Sequence, residues 1–184
     1  TYYVIPANEP TAMNGVWKIG PQTDFFDTLY IKYPKINIIA EDLGELRPEV
    51  LELRDHYHLP GQFVNQFTLL DINAKSNDNQ IVYSGTHDNE TLYGWYLNLK
   101  PEEKKFIQKR LKVRSPKSLY NKIVEYILKM PSLITILPLQ DLLKLDNEYR
   151  MNTPGTMNDI NWTFKLKDFN WIDHIKYPKK GIKK

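Results

Sequence analysis

Two acids follow an apolar run in "IIAEDLG", residues 38–44. A carboxyl flanked by apolar walls is harder to ionise, so its pKa rises and it can hold a proton near neutrality. A general acid needs that property, which makes Glu41 a candidate for proton transfer. The plain alternative is a solvated or helix-capping acid after a strand. A second cluster, Thr86-His87-Asp88-Asn89, follows "IVYSG". Gly85 allows a sharp turn or a close approach to a ligand. A neutral imidazole beside a carboxylate suits hydrogen bonds to a hydroxyl-rich substrate. The alternative is that Asp88 or Asn89 caps the next helix. Gln140-Asp141 is the third polar cluster.

Other chemistries find less support. Glu41, Asp42, His87 and Asp88 lie in separate loops without diagnostic metal-ligand spacing. His56 and His58 are two apart, so they do not share a helix face, and Arg54-Asp55-His56 reads as a solvated charged turn. No metal is expected. There is no Gly-x-Ser-x-Gly elbow, Gly-x-Gly-x-x-Gly loop or Walker loop, which argues against ester hydrolysis, dinucleotide binding and ATP use. Trp17, Trp95 and Trp162 are possible sugar-stacking platforms. Trp95, inside a helical stretch, reads as core; Trp17 and Trp162 follow a turn and a loop and are open to a cleft.

Strands and helices must carry these clusters. Residues 1–6 read as a strand end, and Asn14-Gly15 as a turn. Phe25, Phe26, Leu29 and Tyr30 share one face of a helix within 22–33. Residues 36–42 read as a short apolar strand. Pro48 opens the next helix, with Val50, Leu53 and Tyr57 at helical spacing. Residues 61–70 and 80–89 read as further strands, and Asn89 as the cap of a helix over 90–99. Pro101 opens a helix over 101–112. Ser115-Pro116 starts another, with Leu119, Ile123 and Ile127 stacked at i, i+4 and i+8. Residues 133–145 read as a last buried strand, and 161–166 as an edge strand. Apolar strands alternating with amphipathic helices predict an α/β fold with a parallel sheet covered on both faces. Ligands of such sheets meet the carboxyl ends of the strands, where all three polar clusters are expected.

The bulk composition sets limits. With 184 residues, 41% of them hydrophobic, the chain can form one ordinary core. No apolar run approaches ~18 residues, so no membrane span is expected. The absence of cysteine suits a reducing cytoplasm. Net charge is +3, yet "KYPKKGIKK" alone holds five lysines and no acid. The positive balance thus belongs to the tail, 176–184, and no nucleic-acid partner is expected. No linker or repeat divides residues 1–175.

Together, "AMNGVWKIGP", "IIAEDLGELRPEVLELRDHYHLPG", "VYSGTHDNETLYGWY", "PLQDLL" and "RMNTPGT…NW" resemble successive landmarks of the 4-α-glucanotransferases, the amylomaltases of glycoside hydrolase family 77. The likeness runs from Tyr2 to about Trp162. It implies the C-terminal portion of a (β/α)8 TIM barrel, about strands 5 to 8, filling 1–175. It implies Glu41 as general acid/base, Asp88 as stabiliser of the transition state, and His87 and Asn152 as sugar contacts. No cofactor is implied. The partners implied are α-1,4-glucans, malto-oligosaccharides and the first half of the barrel.

The family's nucleophile, the Asp of an Arg-x-Asp-His strand, has no counterpart in this chain. Two smaller departures are a short stretch from Asp71 to Gln80 and Phe164-Lys165 after the "NW" motif. The expectation is therefore a fragment that is inactive alone and self-associates through open sheet edges. An α-amylase-like hydrolase fragment and a non-catalytic glucan-binding module are the other readings.

Overall fold

A computed structural model describes residues 1–170 and Ile175. The lysine-rich tail expected at 176–184 lies outside the described residues. The chain divides into two compact units, Thr1–Gln62 and Phe63 onward, and each is taken by itself.

In the first unit, strands β1 (Tyr2–Val4) and β2 (Val16–Lys18) pair antiparallel, with Tyr3 opposite Trp17. Helix α1 (Gln22–Lys32) lies where the apolar spacing places it. Its Phe26 and Tyr30 rings stand 4.9 and 5.8 Å from Tyr57, which follows helix α2 (Pro48–His56). The Tyr57 hydroxyl donates to Asp27 Oδ1 at 2.6 Å and is 3.1 Å from Thr23 O, tying the two helices together. Pro48 occupies the first turn of α2, where its missing N–H costs nothing.

The strand expected at 36–42 is absent. A strand exists through pairing, and this stretch has no ladder among the described residues: its Ala40 N–H donates to Pro60 O at 2.9 Å. Ile36 and Ile39 remain exposed. Asp42 and Arg54 supply the order instead. Arg54, expected as part of a solvated turn, bonds the Asp42 carboxylate at 2.5 Å, and Asp42 Oδ1 accepts from Gln62 N–H at 2.6 Å. Gly61 has no room for a side chain, because the Asp42 carboxylate lies against it.

The second unit carries a three-stranded sheet in the order β3 (Gly61–Val64), β4 (Gln80–Tyr83), β5 (Ile134–Ile136), with β4 and β5 parallel. Short helices α3 (Asn65–Thr68) and α7 (Leu139–Leu142) follow β3 and β5. Helices α4 (Leu92–Asn98), α5 (Pro101–Arg110) and α6 (Leu119–Leu128) supply the cover. Leu119, Ile123 and Ile127 are all buried, as their spacing requires. They pack with Val82, Leu92, Leu99 and Ile107 in one core.

Four expectations need correction here. The run 61–70 stops being a strand at Val64 and turns helical. The run 133–145 is not one strand and is buried only in part: β5 covers three residues, with Ile134 and Ile136 exposed on one face of an edge strand, while Gln140 and Asp141 are buried in the short helix that follows. Residues 161–166 form no strand. Thr91, not Asn89, caps α4, its hydroxyl accepting from Gly94 N–H at 3.1 Å.

Asp141 sits in this unit with 1% of its surface exposed. Its carboxylate accepts from Ser84 Oγ at 2.5 Å and from Leu92 N–H at 2.7 Å. Burial pushes its pKa up to about 6, against the pull of those two donors. A raised pKa in the folded state favours the folded protonated form. Its contribution to stability is full below the unfolded value of 3.8 and is lost as pH rises through about 6.

Two outcomes follow in denaturant unfolding. The stability of the wild-type chain relative to Asp141→Asn should fall by ~3 kcal/mol between about pH 4 and pH 6 and then level off. A difference that is flat or rises over that window contradicts the assignment. Ile123→Ala should cost ~2–5 kcal/mol by opening a cavity, whereas Ile31→Ala, at an exposed position, should stay within ~0.5 kcal/mol.

Candidate active site

The turn between β4 and α4 carries His87 and Asp88, and its own atoms set its shape. Asn89 Oδ1 accepts from Thr86 N–H at 2.8 Å and lies 2.9 Å from Thr86 Oγ1. Asp88 N–H donates to Thr86 Oγ1 at 3.3 Å. Asn89, expected as a helix cap, thus closes the turn on itself. His87 and Asp88 are left pointing outward, their side chains 53% and 49% exposed.

The loop at 150–162 holds Asp88 from outside. Asn152 Nδ2 donates to Asp88 Oδ1 at 2.6 Å, and Arg150 Nη2 donates to Asp88 O at 3.1 Å. His87 Nε2 stands 3.4 Å from Asp88 Oδ2. A carboxylate can accept about four hydrogen bonds, so Asp88 keeps acceptor capacity toward solvent. The family resemblance implies His87, Asp88 and Asn152 as site residues, and the structure brings these three together, Asn152 from 64 residues beyond Asp88.

Trp162 completes the group. Its ring lies 5.2 Å from His87, and 61% of the residue is exposed. Its φ is +66°, an uncommon backbone state for a bulky side chain, held by a 2.6 Å bond from its N–H to Met151 O. Asn161 secures the same loop, accepting from Thr153 N–H at 3.2 Å and donating to Thr156. An indole face beside an imidazole and an oriented carboxylate can stack on one face of a sugar while accepting from its hydroxyls. Trp17, in the other unit, instead lies 5.7 Å from the Arg47 guanidinium. Trp95 packs against the core.

Behind the turn, a pocket of about 120 Å³ is lined by Thr86, His87, Glu90, Gln140, Arg150 and others. Sequence reasoning did not assign Arg150, Glu90 or Asn147 individual roles. Asn147 Nδ2 donates to Glu90 Oε1 at 2.6 Å, and Asn147 Oδ1 accepts from Thr91 N–H at 3.2 Å. Nothing in local spacing marks these contacts, which span more than fifty residues. Gln140-Asp141 offers no free carboxylate, since both residues are buried. Among the described residues no group of three or more potential ligands is arranged to hold a metal.

Glu41 belongs to the first unit. It lies in an irregular loop and is exposed, not walled by apolar side chains as its sequence context suggests. The reason is the missing strand: no ladder holds this stretch against a covered face, and Ile39 beside Glu41 is itself exposed. Its neighbour Asp42 takes the inward position and anchors the loop to α2 through Arg54.

The chain is similar to known proteins along nearly its whole length. A profile of the 4-alpha-glucanotransferase family matches residues 1–171. The chloroplastic/amyloplastic 4-alpha-glucanotransferase of Solanum tuberosum is 34% identical over 99% of the chain, which spans 32% of that protein. The 4-alpha-glucanotransferase of Thermus thermophilus is 35% identical over 90% of the chain, which spans 35% of it. The amylomaltase of Streptococcus agalactiae, solved in complex with acarbose, superposes with a TM-score of 0.83 at 29% identity, over 92% of this chain and 36% of that one. The fold is therefore α/β of the amylomaltase kind. The chain spans about a third of the length of the curated relatives it matches. On its sequence and its fold alike, the chain belongs to the 4-alpha-glucanotransferase family.

Proposed function

We propose that this chain carries the acid/base portion of a 4-alpha-glucanotransferase active site. The substrates are α-1,4-glucans and malto-oligosaccharides. In this reading residues 1–175 form the C-terminal portion of a (β/α)8 barrel, about strands 5 to 8. The carboxylate nucleophile comes from a part of the enzyme outside these 184 residues. The observation that carries the reading is the exposed Asp88 carboxylate, held by Asn152 and flanked by His87 and Trp162.

The chemistry is a retaining double displacement. The nucleophile attacks the anomeric carbon while Glu41 protonates the departing glycosidic oxygen. A hydroxyl of a second glucan then attacks the glycosyl-enzyme, and Glu41 takes its proton. Asp88 accepts from hydroxyls of the reacting sugar. Those bonds strengthen as positive charge develops on the ring, so they lower the barrier more than they tighten ground-state binding. His87 and Asn152 contribute further sugar contacts. A cysteine-free chain suits a cytoplasmic setting.

The exposed Tyr2, Val16, Ile31, Ile36 and Ile39 make self-association the expected behaviour of the isolated chain. Light scattering should show mass rising with concentration, and a monodisperse monomer contradicts this. Joined to the remaining two-thirds of the Thermus thermophilus relative, the chain should disproportionate maltotriose into glucose and longer oligosaccharides. Glu41→Gln should lower that rate ~10²–10⁴-fold, with Asp88→Asn also strongly impaired. Products that are only shorter point to a hydrolase. An unchanged rate in Glu41→Gln removes that residue from the mechanism.

A further inference from the structure

We propose that Gln66 and Asp141 are positioning residues for this reaction, clamping the two shoulders of the turn that presents His87 and Asp88. The inference rests on the reading of that turn as the sugar-binding element.

The upstream shoulder is Ser84, directly after β4. The downstream shoulder is Glu90 to Leu92, at the start of α4. Asp141 bonds both, with Ser84 Oγ on one carboxylate oxygen at 2.5 Å and Leu92 N–H on the other at 2.7 Å. Gln66 also bonds both. Its backbone N–H donates to Ser84 O at 3.2 Å, and its Nε2 donates to Glu90 O at 2.8 Å. The two clamps come from opposite sides. Gln66 lies in α3, which follows β3, and Asp141 in α7, which follows β5, the two strands that flank β4.

Gly85 fits the same design. A Cβ there would meet Gln66 Nε2 at 2.5 Å and Asn89 Cβ at 3.1 Å. The glycine lets the Gln66 amide cross the mouth of the turn to reach Glu90. Asp141 is fixed in turn by Tyr120, whose hydroxyl donates to Asp141 O at 2.7 Å. Both clamps are buried, Gln66 to 9% exposure and Asp141 to 1%, so they act through the turn. A catalytic carboxylate held in place before substrate arrives needs no reorganisation during the reaction. Buried polar side chains left without these partners would each be costly, which fixes the geometry firmly.

The test uses the full 184-residue chain, labelled for NMR. Without sugar, Gln66→Ala, Gly85→Ala and Asp141→Ala should lower the backbone order parameters of residues 86–90 from about 0.85 to below about 0.6. The nuclear Overhauser contact between the His87 and Trp162 rings should fade with them, while the methyl shifts of Ile123 and Ile127 in the core stay in place. Asp141→Asn keeps both contacts, its Oδ1 accepting from Leu92 N–H and its Nδ2 donating to Ser84 Oγ, and should behave as wild type. An ordered turn with the ring contact intact in Gln66→Ala and Asp141→Ala overturns the proposal. If Asp141→Ala does not fold, Gln66→Ala and Gly85→Ala decide by the same criterion.

Titration with maltoheptaose supplies the functional arm. Wild type should show shifts at His87, Asp88 and Trp162, and Gln66→Ala should bind about tenfold more weakly. Equal affinity in the two overturns the positioning role. No shift at His87 or Asp88 in wild type defeats the glucan reading itself, and so tells the two failures apart.

Discussion

The second unit is organised around one demand: a buried hydrogen-bonding group must find a partner. The Asp141 carboxylate is almost wholly enclosed, and it lies between donors from Ser84, directly after β4, and Leu92, at the start of α4. Removing a carboxylate from water costs several kcal/mol, and its raised pKa records the part of that cost the two hydrogen bonds do not offset. Such a group tolerates little displacement. A shift of one ångström breaks a bond and leaves a donor or the charge unsatisfied. The path of the chain from β4 into α4 is therefore specified far more narrowly than apolar packing alone would specify it. An apolar residue at 141 would fill space without choosing between nearby arrangements of the turn. The polar group fixes one.

The acids at the three polar clusters divide their work by direction. In Glu41-Asp42 the second acid turns inward to Arg54 and Gln62, and the first faces solvent. In Gln140-Asp141 both residues turn inward, the glutamine amide reaching Tyr149 O at 3.2 Å. In His87-Asp88 both face outward, and the inward duties pass to Thr86 and Asn89. Adjacent side chains leave an extended backbone on opposite sides, so an acidic pair can anchor its loop with one member and offer the other to a ligand. Glu41 gains a fixed backbone from the Asp42–Arg54 pair without being drawn into it. A charge-assisted bond of this kind contributes roughly 1.5–3 kcal/mol, enough to hold a short irregular loop in place of a strand.

What was legible in the sequence was what the chain settles locally. The helices beginning at Pro48 and Pro101 start where those prolines place them, and Leu119, Ile123 and Ile127 are buried as their spacing requires. Motif order was also legible, through the resemblance that "THDN" and "RMNTPGT" carry to a family whose profile matches residues 1–171. The contact between Asn152 and Asp88 has no local signature; only the family likeness drew the two residues into one site before the structure joined them. Strands were the weak point. Apolar β-branched runs at 36–42 and 133–145 look alike in composition, yet one forms no strand and the other forms three residues at an edge. Strand formation depends on a neighbour, and no spacing within a run reports whether the neighbour is present. Asn89 misled for a related reason. Its cap chemistry was real, but its side chain spent it on Thr86, and Thr91 capped α4 instead.

The exposed apolar residues of the first unit obey the same logic in reverse. Tyr2, Tyr3 and Val4 in β1, and Val16 and Trp17 in β2, are all more than a third exposed, so the hairpin has no covered face among the described residues. A two-stranded hairpin open on both faces is marginal in water. This one is held by the Tyr3 hydroxyl on Ala12 O at 3.0 Å, by the Tyr3–Trp17 ring contact at 5.1 Å, and by Gly15, whose missing side chain leaves space for the Tyr3 ring. Ile36 and Ile39 are exposed on a segment that keeps one backbone bond to Pro60 O where a strand would keep a ladder. Apolar side chains placed at strand spacing and left uncovered have a sequence suited to burial and a structure without it. The second unit shows the contrast, since its helices cover their own core from within a hundred residues of chain. The difference lies in contact range. Helical cover can be recruited from nearby sequence, whereas the neighbours of a strand in a parallel sheet come from a crossover away.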